Sequence, residues 1–181
     1  MNKGNFYFLS DQYFFDFQDG NLMKNKEIIN GDIHDRPCFL TFQDPATKLY
    51  WMIPFSSRVD KFKEIYQKKI IKSKRCDTIV FGEVLGYEKA FLIQNMCPAT
   101  KMYIKNEYID SKNIPVKIDG ALENQILIKA KKVLALQRKG INLIFPDVLK
   151  IEQELLKPPV TPLQMVLLIL NLNFKHNRAV I

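Results

Sequence analysis

The sequence has few of the residues that bind metal ions or form disulfide frameworks. Its three cysteines, Cys38, Cys76 and Cys97, are an odd number without CxxC spacing. This usage indicates reduced thiols in a cytoplasm, and it argues against a disulfide framework or a cysteine zinc site. Only two histidines, His34 and His176, are present, which argues against a histidine-rich metal centre. We expect no metal and no cofactor.

The sequence also lacks the apolar segments of secreted and membrane-spanning proteins. The N-terminal MNKGNFYFLSDQYFF has neither the long apolar core nor the cleavage site of a secretory signal. An apolar stretch near the C-terminus, PLQMVLLILNLNF, is shorter than the roughly 20 residues that a membrane span needs. It is either a segment that covers a hydrophobic surface or an extension without such a role. We therefore expect a cytoplasmic protein that makes no use of a membrane.

Acidic residues are outnumbered by basic ones. The chain has 27 Lys and Arg against 19 Asp and Glu, a formal net charge of +8. Such a surplus favours a polyanionic partner, namely RNA, DNA or an anionic membrane surface, although a soluble basic protein without one has the same balance. The length of 181 residues and the apolar fraction of 47% suit one globular domain.

Aromatic and apolar residues are concentrated in short segments that predict β-strands. PCFLTFQ (37–43) and KLYWMI (48–53) flank a DPAT turn and predict an antiparallel hairpin. DTIVFGEV (77–84) and EKAFLIQNM (88–96) predict a second hairpin. A strand over 6–9 opens the chain, short strands are expected around Tyr103 and Val116, and 18–35 is predicted to be a loop.

Helical periodicity accounts for most of the remaining chain. Ser10 is expected to cap a brief helix, and an amphipathic helix is predicted over 58–72. A longer helix is predicted from near Asp119 to Gly140, and another over 146–156. The buried stripe of the longer helix is predicted to be Leu122, Ile126, Ala130, Val133 and Leu134. Paired strands with interspersed helices indicate a single α+β domain on an antiparallel sheet.

The segment PFSSRVDKF places two hydroxyls and a cation where a strand is predicted to give way to a helix. Ser57 suits the N-cap position, with Asp60 in a weak form of the capping box. A helix N-terminus also presents free N–H groups and partial positive charge, which attract anions. Ser56, Ser57, Arg58 and Lys61 would add donors around the same point. The junction is therefore a helix cap alone, or a cap that also binds phosphate.

A run of basic residues follows this junction. It comprises Lys68, Lys69, Lys72, Lys74 and Arg75. The run is either a track for a nucleic-acid backbone or a solvated helix face without a partner.

His34 and Arg36 precede the first predicted hairpin. An imidazole is suited to proton transfer near neutral pH, so His34 is a candidate general acid or base, or an incidental loop residue. Arg36 is a candidate phosphate fork, or a partner of Asp35. Among the aromatic residues, Tyr50 and Trp51 either stack on unpaired bases or fill the core.

Several segments together resemble the ToxN/AbiQ family of endoribonuclease toxins, and especially its CptN branch, from type III toxin–antitoxin systems. They are FYFLSDQYF (6–14), HDRPCFLTF (34–42), YWMIPFSSRVDKFKEIY (50–66), DTIVFGEVLG (77–86) and FLIQNMCP (91–98). The resemblance covers residues 1–156, the expected endoribonuclease toxin domain. It leaves a C-terminal tail, 157–181, without an assigned role.

The resemblance implies a compact α+β domain with a strongly twisted antiparallel sheet. It implies a metal-independent RNase toxin that acts on cellular RNA in the cytoplasm and takes part in phage defence. It also implies a small, repeat-derived antitoxin RNA as the inhibitor, expected to be a pseudoknot in a toxin–RNA hetero-oligomer.

The resemblance further implies an active site just after the second strand of the first hairpin. The family has a hydroxyl pair there, followed by a proline and a lysine. These four positions fall on Ser56, Ser57, Arg58 and Val59. Because valine stands at the lysine position, the basic role is expected to pass to Arg58 or Lys61, of which we favour Lys61. A second basic family position falls near Arg36, with His34 beside it.

These residues are expected to support attack of a ribose 2′-OH on the adjacent phosphate, leaving 2′,3′-cyclic phosphate and 5′-OH ends. Ser57, assisted by Ser56, would bind the non-bridging oxygens, and Arg58 and Lys61 would stabilise the developing charge. His34 would be the general acid or base; otherwise Lys61 or a tyrosine handles the proton. Two alternatives remain open: a non-catalytic RNA- or DNA-binding protein, and an RNase toxin inhibited by a protein.

Overall fold

The computed structural model describes residues 1–29 and 31–158, which form one α+β domain, as predicted. The strands are β1 (Phe6–Leu9), β2 (Lys26–Ile29), β3 (Asp32–Asp35), β4 (Pro37–Gln43), β5 (Tyr50–Ser56), β6 (Ile79–Val84), β7 (Tyr87–Leu92), β8 (Cys97–Ala99) and β9 (Ile104–Glu107). The helices are α1 (Asp11–Asp16), α2 (Val59–Ser73), α3 (Gly120–Arg138) and α4 (Val148–Leu155). The apolar stretch predicted as a docking segment or extension lies outside the described residues.

An antiparallel sheet of seven strands organises the domain, with β5 near its centre. The order is β6-β7-β5-β4-β1-β9, and β8 also pairs with β5. Both predicted hairpins, β4–β5 and β6–β7, are confirmed. On its other edge β5 pairs first with β8, through Met52, and then with β7, from Phe55. Pro54 lies between these two pairings, where its missing N–H costs no ladder bond on that edge, so the strand continues beyond the predicted end at 53.

The two faces of the sheet are covered by different helices. Because successive strand residues face opposite sides, Phe39 belongs to the cluster under α3, whereas Leu40 belongs to the cluster with α1 and α4. Four residues of the stripe predicted for α3 are buried: Ile126, Ala130, Val133 and Leu134. Trp51 is completely buried and stacks on Phe42, so it is a core residue and not a platform for bases. The apolar side of α2 packs on β6 and β7.

The segment 18–35, predicted to be a loop, contains a small separate hairpin. Strands β2 and β3 pair only with each other, around Gly31, whose φ of +92° suits a turn. The residues of β3 are mostly exposed, and no apolar alternation marks the hairpin in the sequence. Of the strands expected around Tyr103 and Val116, only β9 forms, while isolated bridges flank Val116.

The three cysteines are buried free thiols, and burial raises the pKa of Cys97 to about 12. Among the residues described, the structure contains no helix with the length and apolar character to span a membrane.

An ion-pair group joins the exposed Arg138, at the end of α3, to two buried carboxylates. One guanidinium nitrogen of Arg138 lies 2.9 Å from a carboxylate oxygen of Asp44 and 2.6 Å from one of Glu152. Both carboxylates are nearly inaccessible, and Asp44 also accepts the N–H of Ala46 in the β4–β5 turn. Burial alone would raise the pKa of Asp44, but the Ala46 N–H and the guanidinium outweigh it and keep this pKa below its ordinary value.

Replacing Arg138 should be among the most destabilising surface changes. Arg138→Ala would leave two buried carboxylates unpaired, and we expect it to cost about 2–4 kcal/mol in the free energy of unfolding at pH 7. Because the pKa of Asp44 is lowered on folding, the stability it contributes is present above about pH 4 and is lost as the pH falls through the folded value. Urea unfolding should therefore show that the difference in the free energy of unfolding between wild type and Arg138→Ala becomes smaller in acid.

The exposed Lys150→Ala in α4 is the control, with an expected change within about 0.5 kcal/mol. A difference between wild type and Arg138→Ala that is unchanged from pH 7 to pH 3.5 would contradict this role for the ion pairs.

Candidate active site

The junction between β5 and α2 differs from the prediction by one residue. Ser57 was expected to be the N-cap, but the N-cap is Arg58, whose side chain makes no capping bond. The buried Ser56 hydroxyl instead accepts a hydrogen bond from the Arg58 N–H at 3.2 Å. This local bond gives the N–H two residues onward a partner, and α2 begins one residue later than predicted, at Val59. Ser57 is thereby left exposed and free of any capping role.

The exposed Ser57 contacts a lysine from a different part of the chain. The Lys89 ammonium on β7 donates a hydrogen bond to the Ser57 hydroxyl at 2.7 Å. The antiparallel register pairs Ser56 with Ala90. Ser57, which follows Ser56, therefore lies opposite Lys89, which precedes Ala90, just beyond the last paired residues. Lys89 was not among the predicted site residues. Its sequence neighbourhood gives no signal, because only the long-range pairing of β5 with β7 brings it to Ser57.

Ser57 and Lys89 line a cleft of about 560 Å³ between the β2–β3 hairpin and the β6–β7 turn. His34 on β3 is exposed and lines the same cleft. The structure therefore brings together two predicted site residues, Ser57 and His34, with one that was missed. Arg58 and Lys61 are exposed near the start of α2, but neither lines the cleft.

Two carboxylates near this cleft, those of Asp35 and Glu88, are paired with lysines. Asp35, at its edge, contacts Lys26 and lies 3.7 Å from the Lys105 ammonium. Glu88, which neighbours Lys89 in the chain, binds Lys63 at 2.7 Å. Within the part of the chain that the structure describes, Lys89 itself forms no ion pair. Its positive charge is therefore available to an anion at Ser57.

Arg36, predicted to bind RNA, supports the junction from behind. Its guanidinium donates to the Phe55 carbonyl at 3.0 Å and to the Lys24 carbonyl at 3.1 Å. The side chain is half-buried. These bonds tie the end of β5, immediately before the two serines, to the segment that precedes β2. Arg36 thus positions the site through the backbone.

The predicted basic track on α2 divides into two kinds of residue. Lys68, Lys72, Lys74 and Arg75 are exposed. The Lys69 ammonium is instead half-buried and donates to the Thr78 hydroxyl at 2.7 Å and the Gln94 carbonyl oxygen at 2.6 Å. Burial lowers the pKa of Lys69. The four exposed residues are therefore accessible to a polyanion, whereas the Lys69 ammonium is bound within the domain.

Two other features bear on the choice of site. A larger cavity, about 840 Å³, lies between the end of α1 and α4, but it contains none of the predicted site residues and includes Asp16, Asp19, Asp147 and Glu154. Its four carboxylates, against two lysines, make it a poor place for a phosphate.

Over residues 1–29 and 31–158, no three His, Cys, Asp or Glu side chains are grouped as ligands for a metal ion.

Comparison with known proteins gives matches at the level of structure. No protein-family model and no curated protein matches the sequence. The fold is similar to that of AbiQ, a lactococcal anti-phage endoribonuclease of the type III toxin–antitoxin system, with a TM-score of 0.62, 14% identity, and coverage of 84% of this chain and 96% of AbiQ.

A second similar structure comes from a bacterial type III toxin–antitoxin system in which a non-coding RNA pseudoknot inhibits the toxin. Its TM-score is 0.52 at 17% identity, with coverage of 84% of this chain and 98% of that one. The chain therefore has the α+β fold of these two proteins of type III toxin–antitoxin systems.

Proposed function

We propose that this protein is an endoribonuclease toxin of the ToxN/AbiQ family, from a type III toxin–antitoxin system. The observation that carries the proposal is the Lys89 ammonium 2.7 Å from the Ser57 hydroxyl, in a cleft that His34 also lines. The fold shared with an anti-phage endoribonuclease supports it. Placement in the CptN branch rests on the sequence segments alone, because the structural neighbours do not distinguish the branches.

The proposed reaction is attack of a ribose 2′-oxygen on the adjacent phosphorus. The bond from phosphorus to the 5′-oxygen breaks, which leaves a 2′,3′-cyclic phosphate and a 5′-OH. One proton leaves the 2′-OH and one is delivered to the 5′-oxygen, so the step requires no water. No metal ion is part of the proposed step.

The residues of the cleft suit the charge that develops in this step. Lys89 and the Ser57 hydroxyl would bind the non-bridging oxygens, and a cation fixed before the reaction stabilises the transition state at little reorganisation cost. His34 would transfer a proton. Ser56 is buried and bonded to the Arg58 N–H, so its role is to position the junction. Lys89 would have the role predicted for Lys61, stabilisation of the developing charge. Arg58 and Lys61 would contact flanking phosphates.

The exposed cations of α2 suit binding of an antitoxin RNA. Lys61, Lys68 and Lys72 recur at spacings of seven and four residues, which places them on one side of the helix. Lys74 and Arg75 follow at its end. Inhibition of the second structural neighbour by a pseudoknot supports an RNA partner of that kind here, in a toxin–RNA hetero-oligomer.

We expect Lys89→Ala to lower the rate of RNA cleavage by about 100- to 1,000-fold, the usual loss when one preorganised donor to a developing charge is removed. Arg58→Ala and Lys61→Ala should lose less than about tenfold, because neither residue lines the cleft. The assay follows cleavage of a defined RNA in EDTA and maps the product ends. Lys112→Ala, which removes one exposed positive charge elsewhere, is the matched control.

Three outcomes would count against the proposal. Full activity of Lys89→Ala would move the phosphate site elsewhere. Loss of wild-type activity in EDTA would contradict the metal-free step. Tight RNA binding without any cleavage would favour the non-catalytic alternative.

The accessible and the internal lysines of α2 should differ in the salt dependence of antitoxin binding. Each phosphate contact releases counterions, so Lys68→Ala, Lys72→Ala and Arg75→Ala should each reduce the slope of log affinity against log salt by about one. Lys69→Ala should leave the slope unchanged, because that ammonium is bound to Thr78 and Gln94. The measurement is a titration with the RNA encoded immediately upstream of the gene. Equal slopes for all four variants and wild type would remove α2 from the interface.

A further inference from the structure

We infer that Tyr87 forms a subsite for one nucleobase beside the Ser57–Lys89 centre, so that the substrate is an unpaired nucleotide. This inference rests on the proposed function and adds a substrate class to it. Tyr87 lines the cleft and is 70% exposed, so its ring is accessible to a ligand there. Its ring centroid lies 5.6 Å from the Lys89 ammonium.

The turn between β6 and β7 fixes Tyr87 in this position. Leu85 and Gly86 both have left-handed backbone angles, φ +52° and +79°, as a tight two-residue hairpin turn requires. Tyr87 is therefore the first residue of β7 and pairs with Val84. Lys89 follows two residues later. Because alternate strand residues share a face and their Cα atoms lie about 7 Å apart, ring and ammonium are on the same side of the strand.

The surroundings of Tyr87 suit a planar apolar group and not a second phosphate. Ile33, on the opposite hairpin, is 72% exposed, and Leu85 is 48% exposed, and both line the cleft. Tyr87 belongs to none of the hydrophobic clusters described, and within the described residues its hydroxyl has no hydrogen bond. The cleft thus combines one cationic point with an apolar rim, which matches a nucleotide: phosphate at Lys89 and base on Tyr87.

This arrangement determines which form of RNA fits. A base can stack on a tyrosine ring only when it has left its own helix, and stacking of this kind tolerates any base because each has a π-face. The Lys89–Tyr87 contact holds the two binding points together, so an unpaired nucleotide would place its phosphate beside Ser57. The cleft therefore favours single strands and loops over duplex RNA.

The test uses an RNA oligonucleotide whose cleavage site has been mapped. Each of the two nucleotides that flank the cleaved bond is replaced in turn by an abasic ribonucleotide, which keeps the 2′-OH. We expect one of these substrates to be cleaved roughly 5- to 150-fold more slowly by wild type, the range expected for loss of one stacked base. In Tyr87→Ala this ratio should fall close to one, whereas Tyr87→Phe should retain it.

The matched control is Phe15→Ala, which removes an equally exposed ring, 69% accessible, that does not line the cleft. It should show the wild-type ratio between the abasic and the intact substrate. The same ratio in wild type and Tyr87→Ala, or equal cleavage of the oligonucleotide and its perfect duplex, would overturn the subsite. Cleavage itself would remain, so the proposed function would stand.

A second readout does not depend on cleavage. The same oligonucleotide carries a 2′-deoxy residue at the cleavage site and 2-aminopurine as the base beside it, so that stacking lowers its fluorescence. Wild type and Tyr87→Phe should quench this fluorescence on binding, and Tyr87→Ala should not. Equal quenching by all three proteins would overturn the subsite, whatever their relative rates of cleavage.

Discussion

The hydrogen bond from the Lys89 ammonium to the Ser57 hydroxyl depends on a change of neighbour along β5. The first half of this strand pairs with β8, and only its last residues, Phe55 and Ser56, pair with β7. That short ladder brings Lys89 beside the serine that follows the strand. A shift of one residue in this register would turn the ammonium to the other face of the sheet. The proposed chemistry therefore depends on the pairing of two distant segments.

The residues around this hydrogen bond are of two kinds: some fix the backbone, and others are accessible to a ligand. Ser56 is buried and bonded to the Arg58 N–H, and Arg36 holds the Phe55 carbonyl, so both fix the backbone that presents Ser57. Ser57 and Lys89 remain accessible in the cleft. A site that must bind a charged phosphate benefits from this division, because donors held in place before the substrate arrives lose little energy to rearrangement.

Local patterns were sufficient for most of the fold but only for part of the site. The two hairpins and the buried stripe of α3 follow from periodicities within short segments. The β2–β3 hairpin was missed because its strands pair only with each other, and their sequences show no apolar alternation to detect. Ser57 and His34 were predicted from residue type and neighbours in sequence, and the structure places both in one cleft. Lys89 was missed because only strand pairing brings it beside Ser57. The sequence also does not distinguish Lys69, whose ammonium binds Thr78 and Gln94, from an exposed helical lysine.

A double-mutant cycle on Ser57 and Lys89 tests the central claim most directly. RNA cleavage is measured for wild type, Ser57→Ala, Lys89→Ala and the double variant. If the two side chains bind one phosphate together, the double variant should be scarcely slower than Lys89→Ala alone, with a coupling of about 0.5–3 kcal/mol. If the two losses simply multiply, the residues act independently, and the 2.7 Å contact is not the centre of the active site.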